Sequence, residues 1–295
     1  HILVENTRKA LAEFARAWRQ KADVKVIGIT GSNGKTTVKG MVAAILAATK
    51  NILSTQGNLN NDIGVPLTLL RLDSTYQFAV IEMGANHAGE IAYLSNYAMP
   101  DVAVITNVGP AHIDGFGSID GVAQAKGEMI EALGEKGIAV LNADDPYFES
   151  WRERAGSRKI LSFGLNQDAD VSADKIKSGM QANQFITEFN LLWERQSIPV
   201  KMALAGQHNV MNALAASAVS LAVGVDLIQI QKGLATVKPV PGRLQPLLGE
   251  KGCTIINDSY NANPASLKAA LDVSMTIKGE PWVVLGAFGE LGSNS

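Results

Sequence analysis

The stretch Gly28–Thr37 reads GITGSNGKTT, and its residue types suit one task, the holding of phosphate. Gly31 and Gly34 frame a turn, Ser32 and Asn33 fill it, and Lys35, Thr36 and Thr37 open the run that follows. A strand that enters such a turn and leaves as a helix aims several backbone N–H groups at one point, at the positive end of the helix dipole. Lys35 adds an ammonium there, and the Thr36 hydroxyl is placed for a Mg²⁺ that bridges phosphate oxygens. The longer phosphate-loop pattern has a further Gly where this sequence has Ile29, so the motif is the short form Gly31, Gly34, Lys35, Thr36. Without function, the same residues make a Gly-rich turn with a solvated lysine.

Glu82, in IEMGANH, closes a buried strand at the carboxyl edge, where ligands of open α/β sheets collect. A carboxylate there is costly unless paired or on a metal, so a Mg²⁺ shared by Thr36 and Glu82 is the functional reading. A strand-end Glu facing solvent is the structural one. His112, in TNVGPAHID, follows the next strand on the same edge, as a ligand or as an ordinary loop histidine. Lys126, in AQAKGEM, reads by itself as a surface lysine on a helix.

The elements that must position these groups are legible as a rhythm. VKVIGIT (Val24–Thr30), FAVIEM (Phe78–Met83), VAVITNV (Val102–Val108) and IAVLNA (Ile138–Ala143) are short β-branched runs. They alternate with helical patterns such as Thr37–Thr49 and Ile119–Leu133, as in a mainly parallel sheet with covered faces. From Asp168 to Leu204 polar and apolar residues alternate between turn residues, which predicts antiparallel hairpins attached to that sheet. A helix over Val210–Val223 restores the α/β pattern. At Val237–Pro246, three prolines and a glycine predict a stiff connector. Beyond it CTIINDSY, a helical run after Pro264 and PWVVLGAF read as strand, helix and strand of a second α/β unit.

Composition narrows the partners. The 295 residues carry 26 basic and 28 acidic side chains, a formal net charge of -2, so there is no polybasic field for nucleic acid and an anionic ligand must be held locally. The single cysteine, Cys253, offers no intrachain disulfide and no metal-ligand spacing, which fits a reducing, cytoplasmic setting. The most apolar stretch, Ala213–Val225, falls short of the roughly 20 residues of a membrane span and reads as a core helix, so no membrane insertion is expected. The chain opens on His1, and its first residues have helical spacing rather than the layout of a secretory signal. Both ends read as the inside of a longer protein.

GITGSNGKTT, GNLNNDIGVPLTLL, IEMGANHAGEI, TNVGPAHIDGFGS, AKGEM, GQHNVMNALAA, VPGRL and NDSYNANPASL, in this order and spacing, resemble the Mur ligase family. The resemblance covers nearly all of the chain from Val24 on. NLNNDIG, EMGANH and DSYNANP are similar to the branch of the family that adds D-alanyl-D-alanine. It implies an α/β fold: a P-loop central domain, with a mainly parallel sheet, helices on both faces and a small antiparallel subsheet, then the start of a Rossmann-like domain. The implied boundaries are 1–22 for the tail of an amino-terminal UDP-binding domain, with its helix at Thr7–Gln20, 23–243 for the central domain, and 244–295 for the incomplete third.

The activity so implied is ATP-dependent amide formation in peptidoglycan synthesis. The γ-phosphoryl of ATP passes to the carboxylate of UDP-N-acetylmuramoyl-tripeptide, and the amine of D-alanyl-D-alanine attacks the acyl phosphate. Two anions must meet in line, which only cations placed around the transferring group make tolerable. The resemblance implies that Gly31 through Thr37 cradle the phosphates, with Lys35 on the β and γ groups. Thr36, Glu82, His112 and Lys126 would serve two Mg²⁺ ions, Lys126 as a carbamate formed with CO₂. His208, Asn209 and Asn212 match an adenine-side motif, Arg243 would reach the phosphates, and Asp258, Tyr260 and Asn261 would approach the ribose. Asn58, Asn60 and Asn61 resemble a substrate-side loop, and equally make an Asn-rich turn.

The chain departs from the family pattern in lacking most of the amino-terminal domain and in carrying Ala287 where relatives often have an acidic residue. Activity is therefore expected of the longer parent, as a monomer, and not of this stretch by itself. A folylpolyglutamate-type or another Mur ligase is the alternative within the enzyme class. A P-loop switch that signals by loop rearrangement is the alternative outside it.

Overall fold

Short β-branched runs become the strands and the amphipathic runs between them the helices in a computed structural model of the chain, which describes residues 1–110, 113–165, 168–277 and 279–286. The chain begins with α1 (Thr7–Lys21), β1 (Lys25–Thr30), α2 (Lys35–Ala47), β2 (Ile52–Ser54) and α3 (Gly64–Leu69). It continues through β3 (Phe78–Glu82), α4 (Glu90–Ala98), β4 (Val102–Ile105), α5 (Ile113–Phe116), α6 (Ile119–Glu131) and β5 (Ile138–Asn142). Then follow α7 (Phe148–Ala155), β6 (Lys159–Phe163), β7 (Val171–Gln181), β8 (Gln184–Trp193), β9 (Gln196–Met202), α8 (Gln207–Ala222) and α9 (Leu227–Ala235). β10 (Gln245–Leu248), β11 (Thr254–Asn257) and α10 (Pro264–Ser274) close the described part.

The first nine strands form one sheet in the order β2-β3-β1-β4-β5-β6-β7-β8-β9. Pairing is parallel from β2 to β7 and antiparallel from β7 to β9. The predicted hairpins thus extend the main sheet, joined through the register pair Phe163↔Val171. Successive strand residues serve opposite layers, as the period of two requires. Ile27, Ile29, Val104 and Val140 cluster with Val38 and Met41 of α2, Leu214 of α8 and Ile230 of α9. Val26, Ile81, Ile105 and Leu141 cluster with Ile91 of α4, Met129 of α6 and Trp151 of α7. The expected core helix is α8, whose Ala213–Ser220 are all buried. Among the described residues no helix is long and apolar enough to cross a membrane.

β1 lies between β3 and β4, so the strands that follow it lie on both sides. That reversal opens a crevice at the carboxyl end of β1, where the loop 31–34 sits. The loop is held from behind by the chain leaving β4. Asn107 accepts the Asn33 N–H at 2.9 Å through Oδ1, and its Nδ2 donates to the Asn33 carbonyl at 3.2 Å. Ser32 N donates to the Asn107 carbonyl at 2.9 Å, and Thr106 Oγ1 donates to the Asn33 carbonyl.

Two expectations from the carboxyl-terminal part need correction. Gln245 and Pro246, the end of the expected connector, belong to β10, which pairs antiparallel with β11, so the second unit opens with a hairpin ahead of its helix. Pro246 is tolerated there because a two-stranded sheet has only edges. The strand expected at PWVVLGAF does not form over 281–286, where Trp282 is 87% and Val284 96% exposed. β propensity makes a strand only beside a partner, and among the described residues no strand pairs with this segment. Ala287 lies outside the described residues.

Replacing Asn107 by Ala should lower the unfolding free energy by about 1–3 kcal/mol, because the amide serves both backbone polar groups of Asn33. Urea unfolding checks this, and an unchanged midpoint would show that the loop keeps its shape without that side chain.

Candidate active site

Gly34 caps α2 with φ 83°, in the left-handed region, and a Cβ there would collide with Asn212 Oδ1. Gly31, at φ 141°, leaves equally little room, since its Cβ would meet Thr106 Oγ1. These constraints explain why α2 starts at Lys35, ahead of the predicted Thr37. No side chain caps the helix, so its first N–H groups are left for a ligand. Lys35 Nζ lies inside the turn, donating to the Gly31 carbonyl at 2.7 Å and the Ser32 carbonyl at 3.3 Å. Burial holds its pKa below the ordinary value, Glu82 opposes that shift, and Arg243 adds to it.

Glu82 is 3% exposed at the end of β3. Its Oε1 accepts from Asn60 Nδ2 at 2.9 Å and from Thr36 Oγ1 at 3.3 Å. Its Oε2 lies 3.1 Å from Lys39 Nζ, within ion-pair range, yet the geometry is not that of a hydrogen bond and Oε2 has no hydrogen-bond partner. The solvent-facing reading of Glu82 is therefore wrong. So is the surface reading of Lys126, which is 2% exposed with Nζ 5.3 Å from the centre of the Phe116 ring. Burial, reinforced by Lys35, lowers the Lys126 pKa to about 7, against smaller opposing effects of Glu128 and Glu90.

One cleft of about 830 Å³ gathers most of the predicted groups. Gly31 through Thr36, Glu82 and Lys126 line it, and Asn60 and Asn61 flank them. Arg243, Tyr260 and Asn261 reach it from beyond the connector. Arg243 Nη2 donates to Thr36 Oγ1 at 3.3 Å, and its guanidinium stacks 4.2 Å from the Tyr260 ring centre. Thr37, Asn58, His208, Asn209, Asn212 and Asp258 do not line this cleft. His112 lies outside the described residues.

Several of the remaining side chains have visible structural work. Asn209 Nδ2 donates to the Ala205 carbonyl at 2.7 Å and Asn212 Nδ2 to Asn209 Oδ1 at 3.1 Å, which sets Asn212 behind Gly34. Burial lowers the pKa of His208, with Asp258 opposing, and Asp258 Oδ1 accepts from the Leu244 N–H at 2.9 Å. Asn61 Oδ1 accepts from Gly64 N at 2.9 Å at the start of α3, as an Asn-rich turn requires, and Asn58 is exposed.

Two residues at the site receive no role from the sequence. Lys39, 7% exposed, reaches Glu82 from one turn beyond Thr36, and its only signal in sequence is a cation among buried positions of a helix. Asn263 caps α10 by accepting from Ser266 N at 2.8 Å, and its Nδ2 donates to Asn33 Oδ1 at 2.8 Å. One amide thereby ties the second unit to the phosphate loop. In the sequence Asn263 stands inside DSYNANP, just ahead of the helical run after Pro264.

A divalent ion fits this site. The buried, unbonded Oε2 of Glu82 is an orphan acceptor, and a hydroxyl from Thr36 stands beside the same carboxylate. Among the described residues no group of three or more His, Cys, Asp and Glu side chains could hold a metal. Mg²⁺ takes one or two protein oxygens and completes its shell with phosphate and water, so the Glu82 carboxylate and the Thr36 hydroxyl are a sufficient protein share for one ion.

The fold and these motifs place the chain: it belongs to the Mur ligase family, whose middle domain matches residues 29–220 and whose glutamate ligase domain matches residues 242–295. It is 45% identical to UDP-N-acetylmuramoyl-tripeptide--D-alanyl-D-alanine ligase of Escherichia coli K12, covering 100% of this chain and 64% of that protein. The Bacillus subtilis ligase of the same name is 38% identical, over 99% of this chain and 62% of the relative. Among solved structures, MurF from Acinetobacter baumannii superposes with a TM-score of 0.94 at 42% identity, over 100% of this chain and 64% of that one. MurF ligase from Thermotoga maritima in complex with ADP gives 0.88 at 33% identity, over 100% of this chain and 67% of that one. The chain thus spans 64% of the length of the E. coli relative.

The Lys126 amine has a pKa of about 7 when folded, against 10.5 for an ordinary lysine. The unfolded chain binds more protons at this position between these two values, so the contribution of Lys126 to stability rises with pH across that window and levels off below it. The slope should approach about 1.4 kcal/mol per pH unit. Unfolding free energies of the wild type minus those of Lys126→Met should therefore increase from about pH 7 to pH 9. A flat difference would show the amine to be charged in the folded protein.

Proposed function

We propose that the full-length protein to which this chain belongs is the ligase that joins D-alanyl-D-alanine to UDP-N-acetylmuramoyl-tripeptide in the cytoplasm, driven by ATP. The observation that carries this reading is the convergence, in one cleft, of the phosphate-loop turn, a buried carboxylate with a free lone pair, a buried lysine and an arginine from beyond the connector. The identity with the E. coli relative, across the entire chain, supports the choice of substrates.

In this reading the N–H groups of residues 31–37 and Lys35 grip the triphosphate, and Arg243 closes on it from the second unit. Glu82 and Thr36 hold one magnesium ion, and Lys126, as a carbamate, serves a second with His112. The ions supply charge neutralisation between phosphate and acceptor carboxylate. A lysine becomes a carbamate only through its neutral amine, and a pKa of about 7 keeps much of the Lys126 amine in that form near neutral pH. His208, Asn209 and Asn212 shape the adenine side, while Asp258, Tyr260 and Asn261 approach the ribose. Asn60 steadies Glu82 by its observed hydrogen bond, and Asn58 and Asn61 border the acceptor peptide. Residues 1–22, 23–243 and 244–295 are the corresponding parts of three domains, and the protein acts as a monomer.

Phosphate release by the full-length protein, with the peptide acceptor and the dipeptide omitted in turn, tests the reading. Phosphate release and amide product should both require the acceptor and the dipeptide together, since the phosphoryl group stays on the carboxylate until the amine displaces it. Release from ATP alone at the full rate would favour a nucleotide switch. Lys126→Ala should abolish product, and short carboxylates should restore part of it, because they replace the anionic oxygens that the carbamate provides. Full activity of the untreated variant would remove Lys126 from the mechanism.

A further inference from the structure

Lys39 stands three residues beyond Thr36 on α2, so both side chains leave the helix on the face turned to Glu82. Lys39 Nζ and Glu82 Oε2 are 3.1 Å apart, with side chains 9% and 3% exposed. A buried carboxylate without a counter-charge is strongly disfavoured, and among the described residues Lys39 is the only cation within ion-pair distance of this one. Lys35, the other ammonium whose field reaches Glu82, is bonded to the loop carbonyls. The Lys39 contact is also poised for release. It is not a hydrogen bond on Oε2, and the Gly57 carbonyl offers Nζ a second acceptor at 3.5 Å.

Building on the reading of Glu82 as a magnesium ligand, we propose that Lys39 is a positioning residue that acts through Glu82: it neutralises the carboxylate before the ion arrives and yields Oε2 when the ion binds. Lys39 is not among the residues that line the cleft. It keeps Glu82 buried and aimed into the cleft, and by competing for Oε2 it holds metal affinity down. The Gly57 carbonyl receives the displaced ammonium. Since Gly57 is three residues from Asn60, which also bonds Glu82, ion binding is felt in the loop that carries both.

Direct titration of Mn²⁺, a spin-active substitute for Mg²⁺, against the full-length protein with ADP present tests this. The free-ion signal gives the binding midpoint without any turnover. Lys39→Met should bind Mn²⁺ about tenfold more tightly, the effect of removing a unit charge a few ångströms away in a medium of intermediate dielectric. Lys39→Arg should keep a midpoint near that of the wild type. In metal-free buffer Lys39→Met should be less stable than wild type, and adding Glu82→Gln to it should recover most of the loss, because the uncompensated charge is then gone.

Should Lys39→Met fail to fold, the charge-free double variant still decides the matter, since it must fold if the pair is what matters. A double variant as defective as the sum of the two single ones overturns the inference. A midpoint that depends on Glu82 but is unchanged by Lys39→Met overturns the role of Lys39 alone. A midpoint unaffected by Glu82→Gln in the otherwise native protein overturns the metal reading of the site, and this inference with it.

Discussion

A carboxylate that is almost wholly buried at the end of a central strand must be met by positive charge or by hydrogen-bond donors, and the site around Glu82 is organised by that requirement. Thr36 and Lys39 come to it from α2, and Asn60 comes from the loop before α3. Arg243 reaches the same Thr36 hydroxyl from beyond the connector. Three segments distant in sequence are therefore held at one point by a single charge. The cost of burying it is offset only while they stay together.

The parallel sheet supplies the geometry. With β1 between β3 and β4, the loop after β1 and the carboxyl end of β3 open on the same edge, so a loop that presents N–H groups faces a carboxylate. The loop and the carboxylate attract opposite partners, an anion and a cation. A triphosphate carrying a divalent ion satisfies both, which is the physical reason for reading the two features as one site. Lys126 extends the logic, because its burial beside Phe116 and the field of Lys35 make charging it expensive.

How much of this is legible in the sequence follows from which forces are local. GITGSNGKTT is legible because turn chemistry and helix termini are set by neighbouring residues. The core strands are legible because fully buried runs need no partner to be recognised. The burial of Lys126 is not, since a lysine on a helix reads the same whether its face meets solvent or the Phe116 ring, and only the family resemblance points to it. Lys39 and Asn263 are missed for the same reason: each acquires its role from a residue far along the chain, Glu82 in one case and Asn33 in the other. The strand expected over PWVVLGAF misleads in the opposite direction, because apolar β-branched residues promise a strand whether or not a partner lies beside them.

The central claim is that the loop after β1 and Glu82 together receive one metal-loaded triphosphate. A crystal structure of the full-length protein with a non-hydrolysable ATP analogue and Mn²⁺, read by anomalous scattering, tests it most directly. The account predicts a manganese peak in coordination contact with Glu82 and Thr36, and β and γ phosphates against the N–H groups of residues 31–36. Manganese and phosphates bound elsewhere, with Lys39 still seated on Glu82, would contradict it.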